Sequence, residues 1–218
     1  MCYGAPYADE GKVGSRHMNS RTHMLVGAAA SLALLEPTGA SACLIDVAGG
    51  LLGGWICDID VSSKSAVKDY FFGVDILVPL VAIALIDHFL DLGVAGLVLN
   101  RMGPVATVGA AAFVVLAVLG SQWKRLCHHR TFMHSFLAVV LFSAPLWLVF
   151  PQVVPPFAIG MLLHVALDVT NKKGVQVLFP LSPRFCLRLF RSDGRVDKGL
   201  RLVALVALGV LLCRLGIA

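Results

Sequence analysis

Apolar runs follow one another along almost the whole chain: residues 24–35, 42–56, 71–90, 104–119, 134–150, 157–169 and 202–212. Few folds are open to such a sequence. In lipid no water is available to the backbone, so each segment must satisfy its own N–H and C=O groups, and a helical bundle does this. The composition agrees: 58% of residues are hydrophobic and 14% charged, against about 25% charged in soluble domains. Mean hydropathy is +0.83. The expected fold is all-α: a polytopic transmembrane helical bundle of about six or seven membrane segments, one domain over 18–218. Residues 1–17 are polar, lack the apolar core of a secretory signal, and are expected to form a disordered leader. Run 24–35, closed by Pro37, is short: at about 1.5 Å per residue it falls well below a bilayer core of about 30 Å.

Charge sets the expected orientation. The net charge is +5, and Lys and Arg gather in 124–130 and 171–201. Cytoplasmic loops carry such an excess, so both loops are assigned to the cytoplasm. Alternating crossings then put 61–68 and Arg21 on the same side and Ala218 outside. The charge is read as a topology signal, and no nucleic-acid partner is expected. The cysteines at 2, 43, 57, 127, 186 and 213 are scattered, with no CxxC pair. They are expected to pack as small hydrophobes, without a disulfide framework or a thiolate zinc site.

That alternation brings the polar groups of the apolar regions to one face: His23, Asp58 and Asp60, His129 and His134, His164 and Asp168. The densest stretch is His128-His129-Arg130-Thr131-Phe132-Met133-His134-Ser135. His164 and Asp168 are four apart in a helical run and share a face; buried in lipid, they must pair or bind something. The simpler alternative is a structural His–Asp hydrogen bond between helices. Asp58-Ile59-Asp60 follows a Gly-rich helix, at the end where the dipole disfavours negative charge; a cation would offset this. His129 and His134 converge only if the chain turns near Thr131 and a helix begins at His134-Ser135, with Ser135 a cap or a packing hydroxyl. Arg130 offers a planar fork for phosphate or carboxylate, or is a positive-inside anchor. His23, with Thr22 before it, sits at a helix start; the simpler alternative to a ligand is a solvated imidazole beside an N-cap threonine. His128 has no second feature pointing to it. Asp87, His88 and Asp91 fall on the opposite face and are left out, while Asp46 and Asp75 interrupt apolar runs. Imidazoles with carboxylates suit zinc, with manganese or iron as rivals. Seven candidate ligands exceed what one catalytic zinc needs, which leaves room for more than one divalent ion.

The ordered set of Thr22-His23, the Gly-rich run ending in Asp58-Ile59-Asp60, His129-Arg130-x-x-x-His134-Ser135, and His164-x-x-x-Asp168-x-x-Thr170 with Gly174 and Pro180 resembles the YdjM-type inner-membrane family over about 18–185. Its members are called membrane-bound, metal-dependent hydrolases, largely by inference. The spacing is more distantly similar to zinc-dependent phospholipase C. The chain departs from the family pattern at Cys57, Thr131 and Met133, and in an added hairpin over about 71–120. The resemblance implies a hydrolase of the inner membrane. The expected activity is hydrolysis of an ester or phosphoester, in a membrane lipid or lipid-linked substrate, at a site facing the cytoplasm. Metal ligands would come from His23, Asp58, Asp60, His129, His134, His164 and Asp168. Asp60 or His129 would accept a proton, and Arg130 would hold phosphate. Two other classes use the same residues: a divalent-cation transporter or channel, and a scaffold with a structural metal. Clustering of the polar groups at one face favours the enzyme over a pathway through the bilayer.

Overall fold

A computed structural model describes residues 19–60, 103–123, 130–171, 174–189 and 194–215, with shorter stretches between 82 and 100. Secondary structure among them is helical apart from one antiparallel bridge, Val175 to Phe185. Helix α1 spans Ser20–Leu35, α2 Ala40–Ile56, α3 Pro104–Trp123, α4 Phe136–Val149, α5 Val154–Thr170 and α6 Gly194–Arg214. Local chemistry sets the ends. The Asn19 side chain accepts from Arg21 N at 3.0 Å and starts α1, as N-cap residues do. Glu36 turns left-handed (φ 45°) to stop it, just before Pro37. Ser135 caps α4 by accepting from Ala138 N at 3.2 Å. Prolines 155 and 156 open α5, where the missing N–H costs no hydrogen bond.

Helices α1, α2 and α5 pack against one another backbone to backbone, through glycine. A Cβ on Gly160 would lie 2.5 Å from the Gly50 carbonyl oxygen, and one on Gly54 would lie 2.5 Å from that of His23. Gly53 meets the Phe157 carbonyl in the same way. Small residues allow such approach between membrane helices. Helices α3 and α4 close the other side of α5, around Phe142, Phe157 and Met161, all fully buried. Phe113 meets Phe142 edge-on, with ring centroids 5.4 Å apart and planes at 80°. The outward faces are apolar too: Val108 and Val115 on α3, Val140 and Trp147 on α4, and Leu202, Val206 and Val210 on α6 are exposed. A surface greasy over several helices suits hydrocarbon rather than water.

Two helical stretches, Ala40–Ile59 and Pro151–Thr170, are long and apolar enough to cross a membrane; Pro104–Gly120 and Phe136–Val149 are apolar but shorter. The all-helical expectation holds among the described residues, while six or seven crossings go beyond what these lengths support. The largest change from the sequence reading is α6. It begins at Gly194 rather than near 202, so Arg195, Lys198 and Arg201 belong to a helix and not to a basic loop. The leader, 1–17, lies outside the described residues, as does most of run 71–90. Within its described end, Asp87 accepts from Val94 N at 2.8 Å and closes a turn. Cys43 and Cys57 are buried and not disulfide-bonded, as expected of small hydrophobes. Cys186 is the exception and is disulfide-bonded.

Candidate metal centre

Four helix ends meet at one place. His23 lies in the first turn of α1, and Asp58 in the 3-10 turn Cys57–Asp60 that ends α2. His134 closes the turn Phe132–His134 just before α4. His164 and Asp168 occupy successive turns of α5, near its C-terminal end. All are buried, His134 at 0%, His164 at 1% and Asp168 at 3% exposure. The glycine contacts bring them together, because the backbone approach at Gly54 sets α1 against α2 beside His23 itself. The turn before α4 is fixed separately. Arg130 has φ 68°, and its carbonyl accepts from Gln176 N at 3.0 Å; Phe136 N donates to the Val177 carbonyl at 3.0 Å. The segment after α5 thus folds back and holds the His134 turn.

The His23 and His164 rings stack, with centroids 3.8 Å apart, and His134 meets His164 edge-on at 5.1 Å. His134 Nε2 lies 3.3 Å from Asp168 Oδ2, His164 Nε2 lies 3.5 Å from Asp58 Oδ1, and His23 Nε2 lies 3.9 Å from Asp168 Oδ1. The two oxygens of Asp168 are used differently. Oδ1 accepts from Arg130 Nη2 at 3.0 Å and from Asn171 Nδ2 at 3.2 Å, while Oδ2 faces His134. Asp58 is held from the other side, accepting through Oδ2 from the Ser20 hydroxyl at 2.7 Å.

His164 shows what the pocket requires. Its Nδ1 lies 2.8 Å from the Gly54 carbonyl oxygen. A carbonyl only accepts, so Nδ1 carries a proton, and the tautomer this selects has its lone pair at Nε2. That nitrogen makes no hydrogen bond and faces a carboxylate oxygen, another acceptor. Two buried acceptors opposed in this way need a second proton or a cation between them. Four ligands at about 2.0–2.2 Å in a tetrahedron stand roughly 3.3–3.6 Å apart, and the 3.3 Å and 3.5 Å separations match. An Nδ1–H fixed on a backbone carbonyl is also how metal-ligating histidines are oriented. The donors form two triads, His23–His164–Asp168 and Asp58–His134–His164, with ligand atoms within 4.8 Å of one another in each. They share His164, whose second nitrogen is committed. His164 can therefore ligate through Nε2 alone, and either triad could hold a metal ion.

Five of the seven ligand positions expected from the sequence converge: His23, Asp58, His134, His164 and Asp168. His129 lies outside the described residues. Asp60 ends the 3-10 turn that carries Asp58, but its side chain is outside the description. Arg130 is 4% exposed, and its guanidinium is turned to Asp168 rather than held open. His23 is not solvated, and Thr22 is not the N-cap: its hydroxyl donates to Asp197 at 2.6 Å. Ser135 proves to be a cap. Sequence reasoning missed Ser20, Asn171, Asp197 and Arg201. Of these, Asn171 sits three residues beyond Asp168, and Asp197 with Arg201 shows a helical i,i+4 spacing that the short last run hid.

The family model described as YdjM inner membrane protein matches residues 18–217. The uncharacterized protein YvsG of Bacillus subtilis (strain 168) is 32% identical over 79 residues, 35% of this chain. The chain spans about half (49%) of that curated relative's length. No solved structure matches.

Proposed function

The chain belongs to the YdjM inner membrane protein family, and from that premise and its buried His–Asp cup we propose that it is a membrane-bound, metal-dependent hydrolase. Its substrate is an ester or phosphoester in a membrane lipid or a lipid-linked molecule. The observation that carries the reading is His164 Nε2 opposed to Asp58 Oδ1 at 3.5 Å with Nδ1 already committed. His23, Asp58, His134, His164 and Asp168 would hold the ion, with zinc suited to the donor set and manganese or iron as rivals. A divalent cation there supplies Lewis-acid activation of water and of a phosphoryl or carbonyl oxygen.

The chain's own residues do the rest. Arg130 and Asn171 fix Asp168 through Oδ1, which turns Oδ2 toward His134 and the cup. Ser20 fixes Asp58, and the Gly54 carbonyl fixes the His164 tautomer. Asp60, two residues beyond Asp58, and His129, next to Arg130 in sequence, are the candidate proton acceptors. The site lies where helices end, so it sits at headgroup depth; the Lys and Arg of 171–201 argue for the cytoplasmic side.

The test pairs elemental analysis of detergent-purified protein with release of phosphate or headgroup from mixed lipid phosphoesters and carboxylic esters. Bound transition metal with metal-dependent release is the expected result. Metal-loaded protein that hydrolyses none of them would replace the enzyme by a transporter or a scaffold. Protein without metal after purification free of chelators would overturn the metal reading itself.

A further inference from the structure

Helix α6 enters the site's support through a closed polar ring at its first turn. Asp197 is 8% exposed, and Thr22 is fully buried. Asp197 Oδ1 accepts from the Thr22 hydroxyl at 2.6 Å and from Asn19 N at 3.0 Å. Its Oδ2 pairs with Arg201 Nη2 at 2.6 Å, one helical turn along. Arg201 Nε then donates to Thr22 Oγ1 at 3.3 Å and closes the ring. Asn19 and Thr22 bracket the first turn of α1, where backbone N–H groups lack intrahelical partners and the helix dipole favours a carboxylate. Two other groups on that turn reach the cup: Ser20, which holds Asp58 Oδ2 at 2.7 Å, and His23, stacked on His164. Beyond the ring α6 presents exposed Leu202, Val203, Leu205, Val206 and Val210 and buries Ala204; the polar ring is what ties its first turn to the first turn of α1 by hydrogen bonds.

We propose that Asp197, buttressed by Arg201, is a positioning residue for the metal centre: it acts through Thr22 to hold the start of α1 so that His23 is presented to the ion. This rests on the metal reading above. The ring lies outside the ligand set, and its role follows from three hydrogen bonds converging on one carboxylate, two of them from Asn19 and Thr22, 178 and 175 residues away in sequence.

The experiment titrates detergent-purified full-length protein with cobalt(II) and zinc(II). It records affinity and the visible cobalt spectrum for wild type, Asp197→Ala, His23→Ala and the double variant. Asp197→Ala is expected to weaken metal binding by about 10–100-fold, the range for a residue that orients a ligand, and to shift its cobalt spectrum toward that of His23→Ala. In the His23→Ala background, Asp197→Ala should lose most of its effect, because the two act on one arm. A purely structural role predicts additive losses and an unchanged spectrum, and that result overturns the proposal. So does wild-type affinity in a folded Asp197→Ala. Thr22→Val, which removes only the hydroxyl link, is the second variant if Asp197→Ala does not fold; failure of both to fold beside a folded His23→Ala makes the ring a general support and overturns the proposal as well. Wild type that takes up neither metal overturns the functional reading, a result distinct from a silent Asp197→Ala.

Discussion

At the scale of single residues, burial decides what each polar group can do. His164 cannot be a solvated cap, because it is closed in by His23, His134 and the Gly54 carbonyl. His164→Ala is expected to abolish metal retention; elemental analysis beside wild type checks it, and equal metal in both would remove His164 from the site. The sequence suggested Arg130 as a phosphate holder, yet its guanidinium is placed on Asp168. Arg130→Ala leaves a buried carboxylate without its cationic partner, so metal affinity should fall by about 10–100-fold, with Arg130→Lys in between because it keeps the charge but not the guanidinium geometry. Chelator competition measures this. Unchanged affinity with lost hydrolysis would return Arg130 to the substrate.

At the scale of elements, the distance between α1 and α2 is set by the glycines. Gly54→Ala places a methyl 2.5 Å from the His23 carbonyl oxygen, and backbone cannot step aside as a flexible side chain can. The cost should be about 1–3 kcal/mol, typical of overpacking, seen as a lower thermal midpoint in detergent. Metal affinity should drop with it, because His23 moves off His164. A Cβ on Gly209, in α6, would meet nothing within 4 Å. Gly209→Ala should leave stability unchanged or raise it by a fraction of about 1 kcal/mol, since alanine is the better helix former. A Gly54→Ala protein as stable as Gly209→Ala would show that the helices are not held at backbone contact.

At the scale of the whole molecule, the question is which way the helix ends face. Gln152, at one end of α5, and Ser182, past the other, bracket a stretch long enough to cross the membrane. With native cysteines replaced, a membrane-impermeant thiol reagent on spheroplasts should label a cysteine at Gln152 and spare one at Ser182. The Lys and Arg of 171–201 motivate this orientation. The disulfide-bonded Cys186 in the same segment points the other way, because disulfides persist in oxidising compartments. The expected orientation follows the charges, which act while the helices insert, before any sulfur is oxidised. Labelling at Ser182 alone would invert it and put the cup on the outer side.

The sequence by itself determined the helical, membrane-embedded class, because a backbone in lipid has few ways to satisfy its hydrogen bonds. It also placed His23, Asp58, His134, His164 and Asp168 among seven residues expected at one face, by assuming that helices alternate across a bilayer and return their ends to the same faces; the structure brings these five together. The spacing in His164-x-x-x-Asp168 made one shared helix face legible without any structure. Local patterning could not tell where the last helix begins, since Arg195, Lys198 and Arg201 look like loop charge until Asp197 is seen paired with Arg201 and Thr22. Nor could it tell that Arg130 Nη2 donates to Asp168, or that Ser20 holds Asp58. Those assignments depend on which groups of distant segments come within about 3 Å, the range of a hydrogen bond. Packing through Gly27, Gly50, Gly54 and Gly160 sets α1, α2 and α5 at that range, and the segment folded back after α5 sets the turn that carries Arg130 and His134.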